Sequence, residues 1–161
     1  MSATEAKYLV TGASGQLGAL AIDALLNKVP AANVVALVRR SEAAAPLEAK
    51  GVEVRIGDYT DPAALEKAFA GIDRLLLISS SEVGQRAAQH NNAIDAAKKT
   101  GVGFVAYTSI LHADTSPLSL AVEHRETEAA LASSGIPHAL LRTGRYTDHK
   151  TGSIAAAREH G

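Results

Sequence analysis

The chain has 161 residues, of which 47% are hydrophobic and 20% are charged, and its formal net charge is −1. This composition is typical of a globular protein with a sizeable core, and we predict one domain over residues 1–161. The near-neutral charge disfavours nucleic acid or an anionic membrane as a partner. The chain has no cysteine, which excludes disulfides, thiol catalysis and cysteine-bound zinc.

The cytoplasm is the expected location. No aliphatic run approaches the roughly 20 residues that a membrane-spanning helix needs. The first residues, MSATEAK, lack the basic-then-apolar order of a secretory signal.

Strand-like apolar runs alternate with helical patterns along the whole chain. Leu17, Leu20 and Leu25 lie on one face of the first predicted helix, which Pro30 follows. Ser41 is predicted to cap a short second helix, and Asp61 with Pro62 to open a third. The predicted strands are 7–12, 33–40, 52–58, 74–80, 103–109 and 137–144, and the later helices are 83–100 and 118–133.

This alternation predicts an α/β fold, in which about six parallel strands form a doubly wound sheet with helices on both faces. Sheets of this kind bind ligands beyond the carboxyl ends of their strands, where the strand order reverses. Residues that directly follow each strand are therefore the candidates for a binding site.

The first strand is followed by three glycines, Gly12, Gly15 and Gly18, in a G-x-x-G-x-x-G pattern that opens a helix. Gly12 suits a tight turn, Gly15 a close approach of the backbone to a pyrophosphate, and Gly18 close packing of helix on strand. Ser14 offers a hydroxyl donor. A glycine triplet alone is also typical of a surface turn, but its place after the first strand favours a Rossmann-type dinucleotide site.

The second strand ends in Arg39 and Arg40, with no carboxylate before Glu42. A carboxylate near this point would bind the ribose hydroxyl of NAD, whereas a guanidinium suits a 2′-phosphate. The sequence therefore favours NADP(H) over NAD(H), with Arg39 preferred over Arg40 as the ligand. The alternative is that both arginines are solvated residues at a strand end.

Polar residues also follow the third and fourth strands. Asp58, with Tyr59 beside it, stands where a carboxylate can accept a hydrogen bond from an adenine amino group, although aspartate is also common in turns. Ser79, Ser80 and Ser81 are small enough to line a groove that holds a cofactor, or form part of a plain loop.

Five stretches, TGASGQLG, GDYTD, LLLISSSEVGQR, AYTSILHADTSPL and LLRTGRY, carry a family resemblance. Over about residues 7–146 the chain resembles the NmrA-like group of atypical short-chain dehydrogenase/reductases. Within that group it is similar to the bacterial type-two NAD(P)H:quinone oxidoreductases and, more distantly, to the triphenylmethane reductases.

The resemblance implies NADPH-dependent two-electron reduction of a small quinone-type substrate. It also implies a set of cofactor-binding residues. In the pyrophosphate loop they are Gly12, Ala13, Ser14, Gly15, Gln16 and Leu17. Arg39 would hold the 2′-phosphate, and Ser79, Ser80 and Ser81 would line the central groove. Gly144, Arg145 and Tyr146 would approach the nicotinamide.

The chain departs from the family pattern in three places. His124 and Glu128 stand where standard short-chain enzymes have the tyrosine and lysine of their Tyr-x-x-x-Lys motif, which argues against ordinary alcohol oxidation. Thr143, Arg145 and His149 alter the segment that would contact substrate. The resemblance also implies a C-terminal region that covers the substrate, which we expect to be absent from these 161 residues.

No catalytic residue is assigned from the sequence. The position of His124 would suit a proton donor, but we favour the alternative that it is a solvated helix residue. His124 and Glu128 could also share a metal ion, but the sequence offers no third ligand at a recognisable spacing. Tyr107 is expected in the core. Two functions remain open: a quinone reductase, and an NADP(H)-binding sensor with little or no turnover.

Overall fold

The computed structural model describes residues 5–144 of the chain. Six parallel strands form one sheet in the order β3-β2-β1-β4-β5-β6, which confirms the predicted doubly wound α/β fold. The strands are β1 Tyr8–Val10, β2 Val34–Val38, β3 Glu53–Ile56, β4 Arg74–Leu77, β5 Phe104–Ile110 and β6 His138–Thr143.

Helices cover both faces of this sheet. Residues of α1 and α2 pack in one apolar cluster, and residues of α3, α4 and α5 pack in a second cluster on the opposite face. The helices are α1 Gln16–Leu26, α2 Ala45–Glu48, α3 Pro62–Phe69, α4 Arg86–Thr100 and α5 Ser119–Ser134. Among residues 5–144, none of the helices combines the length and apolar character needed to cross a membrane.

The central strands belong to both clusters because successive side chains of a strand point to opposite faces. Leu37 packs with the α3–α5 side and Val38 with the α1–α2 side, and every residue of β2 is buried. A strand that is buried on both faces reads as a continuous apolar run, which is how Val34–Val38 appears in the sequence. Tyr107 of β5 is fully buried, so its prediction as a core residue is confirmed.

The helix starts agree with the sequence at one point and differ at two. Asp61 caps α3 as predicted, with its Oδ1 accepting a 3.0 Å hydrogen bond from the Ala64 N–H. The prediction that Ser41 caps the short second helix was wrong, because Ser41 is the first residue of a separate 3-10 turn, residues 41–43, and α2 begins at Ala45. The fourth helix begins at Arg86 rather than at residue 83, because Gly84 has a φ of +88° that no α-helix accommodates.

The strand order places the site. β1 pairs with β2 on one side and with β4 on the other, so the chain leaves β1 in one direction and later returns to its opposite edge. The carboxyl ends of these strands thus meet where the order reverses, which is where doubly wound sheets bind ligands. The glycine loop follows β1 at this point.

Candidate functional site

The loop after β1 depends on glycine at two positions. Gly12 has a φ of +58°, a left-handed backbone conformation that strains other residues. A Cβ at Gly18 would collide with the Gly12 carbonyl oxygen and lie 2.7 Å from the Ala13 Cα. The N–H of buried Ala13 donates to the Leu37 carbonyl at 3.2 Å, which ties the loop to β2. The loop therefore folds tightly on its own backbone, and Gly12 and Gly15 leave that backbone accessible from the cavity.

The N-terminus of α1 is open to an anion. Gly15 is its N-cap residue and provides no side-chain cap, and the first turn contains no acidic residue. Gln16 and Leu17 are the first two residues of the helix. Uncapped N–H groups and the positive end of the helix dipole together favour a phosphate at this end. The glycine cradle and the uncapped helix fit the diphosphate of a dinucleotide.

A cavity of about 290 Å³ opens beside this loop, at the carboxyl ends of β1 to β4. Most of the sequence-predicted residues that the structure describes meet there. The lining residues are Gly12, Ser14, Gly15, Leu37, Arg39, Gly57, Asp58, Tyr59, Ile78, Ser79, Ser80, Ser81, Glu82 and Gln89. Of the other predicted residues, Ala13 is buried, and Gln16 and Leu17 begin α1 without lining the cavity.

Arg39 follows β2 and lies at the rim of the cavity. Its side chain is 63% exposed, and its Nη1 lies 3.2 Å from Glu82 Oε1. The other oxygen of Glu82 accepts a 2.8 Å hydrogen bond from the Nε2 of Gln89. Arg40 is absent from the main cavity but lines a neighbouring recess together with Arg39 and Ser14. A cationic rim of this kind is suited to a phosphate at the end of β2.

Asp58 and Tyr59 have different roles in the structure. Asp58 accepts hydrogen bonds from the Thr60 N–H at 2.8 Å and from its hydroxyl at 2.7 Å, and these bonds hold the pKa of the Asp58 carboxyl below its usual value. The Tyr59 hydroxyl lies 2.6 Å from Thr11 Oγ1 and 2.7 Å from the Ile78 carbonyl oxygen. Burial raises the pKa of Tyr59, so its hydroxyl stays neutral and braces the ends of β1 and β4.

Buried side chains hold the serine loop after β4 in place. The Ser79 N–H donates to Thr108 Oγ1 at 2.8 Å, and the Ser80 N–H donates to His90 Nε2 at 2.9 Å. The Ser80 carbonyl accepts a 2.5 Å hydrogen bond from the Nε of Arg86, a buried residue. The loop that lines the cavity thus has a fixed backbone, and the Ser80 hydroxyl also accepts a 3.2 Å hydrogen bond from the Glu82 N–H.

The same region contains a buried ion pair. Arg86 Nη1 lies 3.1 Å from Glu123 Oε2, and the two side chains are 6% and 13% exposed. The other carboxylate oxygen of Glu123 accepts from the Gly84 N–H at 2.9 Å. The pair therefore joins the segment that follows the serines to α5.

Two buried histidines lie between α4, α5 and the sheet. His90 Nε2 accepts from Ser80, so its Nδ1 carries the proton and donates to Thr127 Oγ1 at 2.9 Å. Desolvation, assisted by the charge of Arg86, lowers the pKa of His90 to about 3. His90 is therefore neutral near pH 7 and acts as a fixed hydrogen-bonding group.

The prediction that His124 is a solvated helix residue was wrong. Only 2% of it is exposed, and its Nδ1 lies 2.6 Å from the hydroxyl of Tyr107. Burial lowers the pKa of His124 to about 4 and raises that of Tyr107. Neither group is poised to exchange a proton near pH 7, and neither lines the cavity.

Glu128 pairs with residues of the sheet. Its Oε1 accepts a 2.6 Å hydrogen bond from the Ser109 hydroxyl, and its Oε2 lies 2.7 Å from Arg142 Nη2. Within residues 5–144, no three histidine, aspartate or glutamate side chains are grouped to hold a metal ion. The positions of the usual Tyr-x-x-x-Lys pair thus contain two groups that are bonded to the protein itself.

The predicted nicotinamide-side residues are only partly described. Gly144 directly follows β6, is exposed, and does not line the cavity. Arg145 and Tyr146 lie outside the described residues.

Sequence reasoning missed several residues of the site. Leu37, Gly57, Ile78, Glu82 and Gln89 line the cavity, and all but Gln89 lie at strand ends or in the loops that follow them. The rule of strand ends could have identified those four. Gln89 lies inside α4 and reaches the cavity only through helix packing. No local signal in the sequence distinguishes it from a solvated glutamine.

Comparison with known proteins agrees with this geometry. Residues 12–161 match the model of a family described as NAD(P)H-binding. The chain is 58% identical over 152 residues to quinone oxidoreductase 2 of Escherichia coli, a match that covers 94% of this chain and 53% of that protein.

Two solved structures are similar over most of the chain. The Escherichia coli NADPH-dependent quinone oxidoreductase in complex with NADPH superimposes with a TM-score of 0.92 at 57% identity, covering 96% of this chain and 54% of that one. The Citrobacter sp. triphenylmethane reductase in complex with NADP(H) superimposes with a TM-score of 0.87 at 46% identity, covering 89% and 51%. The chain thus spans about half the length of these relatives.

Proposed function

This chain belongs to the NAD(P)H-binding family, and on that premise we propose that it binds NADPH and supports hydride transfer to a quinone-type acceptor. The relatives named for quinone reduction and for NADPH support the activity and the choice of cofactor. They are about twice as long as this chain, so the activity of the whole relatives comes to this chain as a proposal only. The proposed setting is the cytoplasm, where such a reductase meets reduced cofactor.

Each part of the cofactor has residues suited to it. The diphosphate would lie on the N-terminus of α1, against the backbone of Gly12 to Leu17. Arg39 would pair with the 2′-phosphate, and Asp58 would accept from the adenine amino group. Ser79, Ser80 and Ser81 would line the ribose and central part of the groove. Gly144, with Arg145 and Tyr146 beyond the described residues, is assigned to the nicotinamide side.

The bound cofactor would supply the hydride, and the described residues would bind and orient the cofactor. Orientation is the main requirement, since hydride transfer depends on holding donor and acceptor carbons at roughly 3–3.5 Å. The Tyr59 hydroxyl and the bonds from Thr108 and His90 fix the loops that would do this. Tyr107 and His124 lie outside the cavity with their protons fixed, so we assign the proton for the reduced quinone to solvent.

One observation carries the proposal. At the reversal of strand order, a Cβ on Gly18 has no room, Gly12 has a left-handed backbone, and α1 has no side-chain cap. A plain surface turn has no need of all three, whereas a diphosphate cradle does.

Exchange of the charge at Arg39 tests the proposal. We expect Arg39→Asp to lower the preference for NADPH over NADH by about 10- to 100-fold, because a charge-assisted phosphate contact is replaced by repulsion. Affinities come from fluorescence titration with each cofactor. Lys67→Asp is the matched control, since it makes the same change of charge at an exposed site on α3, away from the cavity. An unchanged preference in Arg39→Asp would remove the 2′-phosphate from this position.

A second candidate is a sensor that binds NADP(H) with little or no turnover. It is favoured by the absence, among the cavity-lining residues of 5–144, of a histidine or lysine that could transfer a proton. Steady-state oxidation of NADPH with a panel of simple quinones separates the two. Tight NADPH binding without turnover would support the sensor.

A further inference from the structure

A chain of three side chains crosses the rim of the cavity. Arg39 comes from the end of β2, Glu82 from the loop after β4, and Gln89 from α4. The two oxygens of Glu82 are divided between them, with Oε1 3.2 Å from Arg39 Nη1 and Oε2 2.8 Å from Gln89 Nε2. All three residues line the cavity, so this bridge joins two of its walls.

Two features make this bridge easy to open. The ion pair is exposed, with side-chain exposures of 63% and 44%, and ion pairs of this kind contribute little to stability. Gln89 is 3% exposed, yet its Oε1 is the one buried side-chain oxygen or nitrogen without a hydrogen-bond partner among residues 5–144. A buried acceptor left unpaired costs free energy, so Gln89 adds a cost to the arrangement that the bridge holds together.

We propose that Glu82 is a specificity-determining residue, which holds Arg39 in the free protein and competes with the 2′-phosphate of the cofactor for it. This rests on the proposed function, in which Arg39 binds that phosphate. Arg39 exchanges one anionic partner for another when the cofactor binds. A phosphate offers a guanidinium more charge and two-pronged geometry, so the exchange proceeds, but only ligands with the 2′-phosphate drive it.

Competition predicts the direction in which ligand affinity changes when the charge of Glu82 is removed. If Glu82 competes, removal of its charge strengthens binding of any ligand that uses Arg39 and leaves other ligands unaffected. If Glu82 instead orients Arg39 for the phosphate, the same change weakens binding. The direction of the effect therefore decides between a competitor and a support.

The test is calorimetric titration with two fragments, 2′,5′-ADP and 5′-AMP, which differ only in the 2′-phosphate. We expect Glu82→Gln to bind 2′,5′-ADP about two- to fivefold more tightly than the wild type, as the loss of one exposed ion pair implies. Affinity for 5′-AMP stays the same. In an Arg39→Gln background, Glu82→Gln gives no gain. Glu66→Gln is the matched control, because it also removes one carboxylate from an exposed ion pair, that with Lys99, away from the cavity.

Each other outcome overturns the proposal. Unchanged or weaker binding of 2′,5′-ADP by a folded Glu82→Gln protein excludes competition while leaving the proposed function intact. A gain that persists in the Arg39→Gln background assigns the effect to direct repulsion of the phosphate. Failure of the wild type to bind either fragment or NADPH removes the proposed function and the competition together. Circular dichroism checks folding, and Glu82→Ser replaces Glu82→Gln should the latter not fold.

Discussion

The substitution Gly18→Ala tests the glycine cradle at its most crowded point. A Cβ at this position would meet the Gly12 carbonyl oxygen and lie 2.7 Å from the Ala13 Cα. Carbon atoms pack at about 3.5–4 Å, so α1 and the loop must separate by roughly 1 Å. Overpacking of this kind costs about 1–3 kcal/mol, which corresponds to a fall in Tm of about 2–12 °C for a protein of this size.

The same displacement reaches the site, because Gly12 and Gly15 belong to the loop that must move. We expect NADPH affinity to fall by about tenfold or more, since phosphate contacts depend on fixed geometry. The assays are thermal unfolding and fluorescence titration with NADPH. Gly103→Ala is the matched control, because a Cβ there lies 3.4 Å from its nearest neighbour, the Asp73 carbonyl oxygen. A Gly18→Ala protein that matches the wild type in both Tm and NADPH affinity would refute the packing argument.

Three further predictions concern the groups that hold the site in shape. Tyr59→Phe leaves the Ile78 carbonyl without its hydroxyl partner and should lower the free energy of unfolding by about 1–3 kcal/mol in chemical denaturation; no loss would show that the hydroxyl is dispensable. Arg86→Met leaves the carboxylate of Glu123 buried without its cation and should cost about 3 kcal/mol by the same measurement, whereas a neutral effect would argue against the buried pair. The pKa of His90 is about 3 in the folded protein and that of an unfolded histidine is near 6.5. As the pH falls below about 6.5, protons therefore bind the unfolded state before the folded one. The free energy of unfolding should then decline between about pH 6.5 and 3, by up to about 1.4 kcal/mol per pH unit. Denaturant unfolding across this range should show a shallower decline for His90→Gln, and an identical pH profile would contradict the neutral buried histidine.

The fold was predictable because its signals are local. Apolar runs such as Val34–Val38 and the cap pair of Asp61 and Pro62 mark elements without reference to the rest of the chain. The strand-end rule then places Arg39 and Asp58 beside the glycine loop, and the structure brings them to one cavity.

What failed was the reading of polar residues inside helices. His124 stands among charged neighbours in the sequence, which is typical of a solvated face, yet its side chain meets the Tyr107 hydroxyl across α5 and β5. His90 likewise accepts a hydrogen bond from the N–H of Ser80, which lies ten residues earlier, in the loop after β4. Tertiary packing determines the hydrogen-bond partners of these histidines. The helical period alone does not reveal which face of α4 or α5 packs against the sheet.

The bridge of Arg39, Glu82 and Gln89 lay beyond sequence reasoning for the same reason. The first two residues are 43 positions apart, and only the parallel sheet brings the loops after β2 and β4 to the same edge, on either side of β1. The arginine was identified from its position after β2, but its partner in the free protein was not.

Calorimetric titration of the folded chain with NADPH and with NADH tests the central claim most directly, because it measures binding without any assumption about the acceptor. The glycine cradle and the cationic rim predict saturable heat near one NADPH per chain, with weaker binding of NADH. Folded protein that gives no saturable heat with either cofactor would contradict the account.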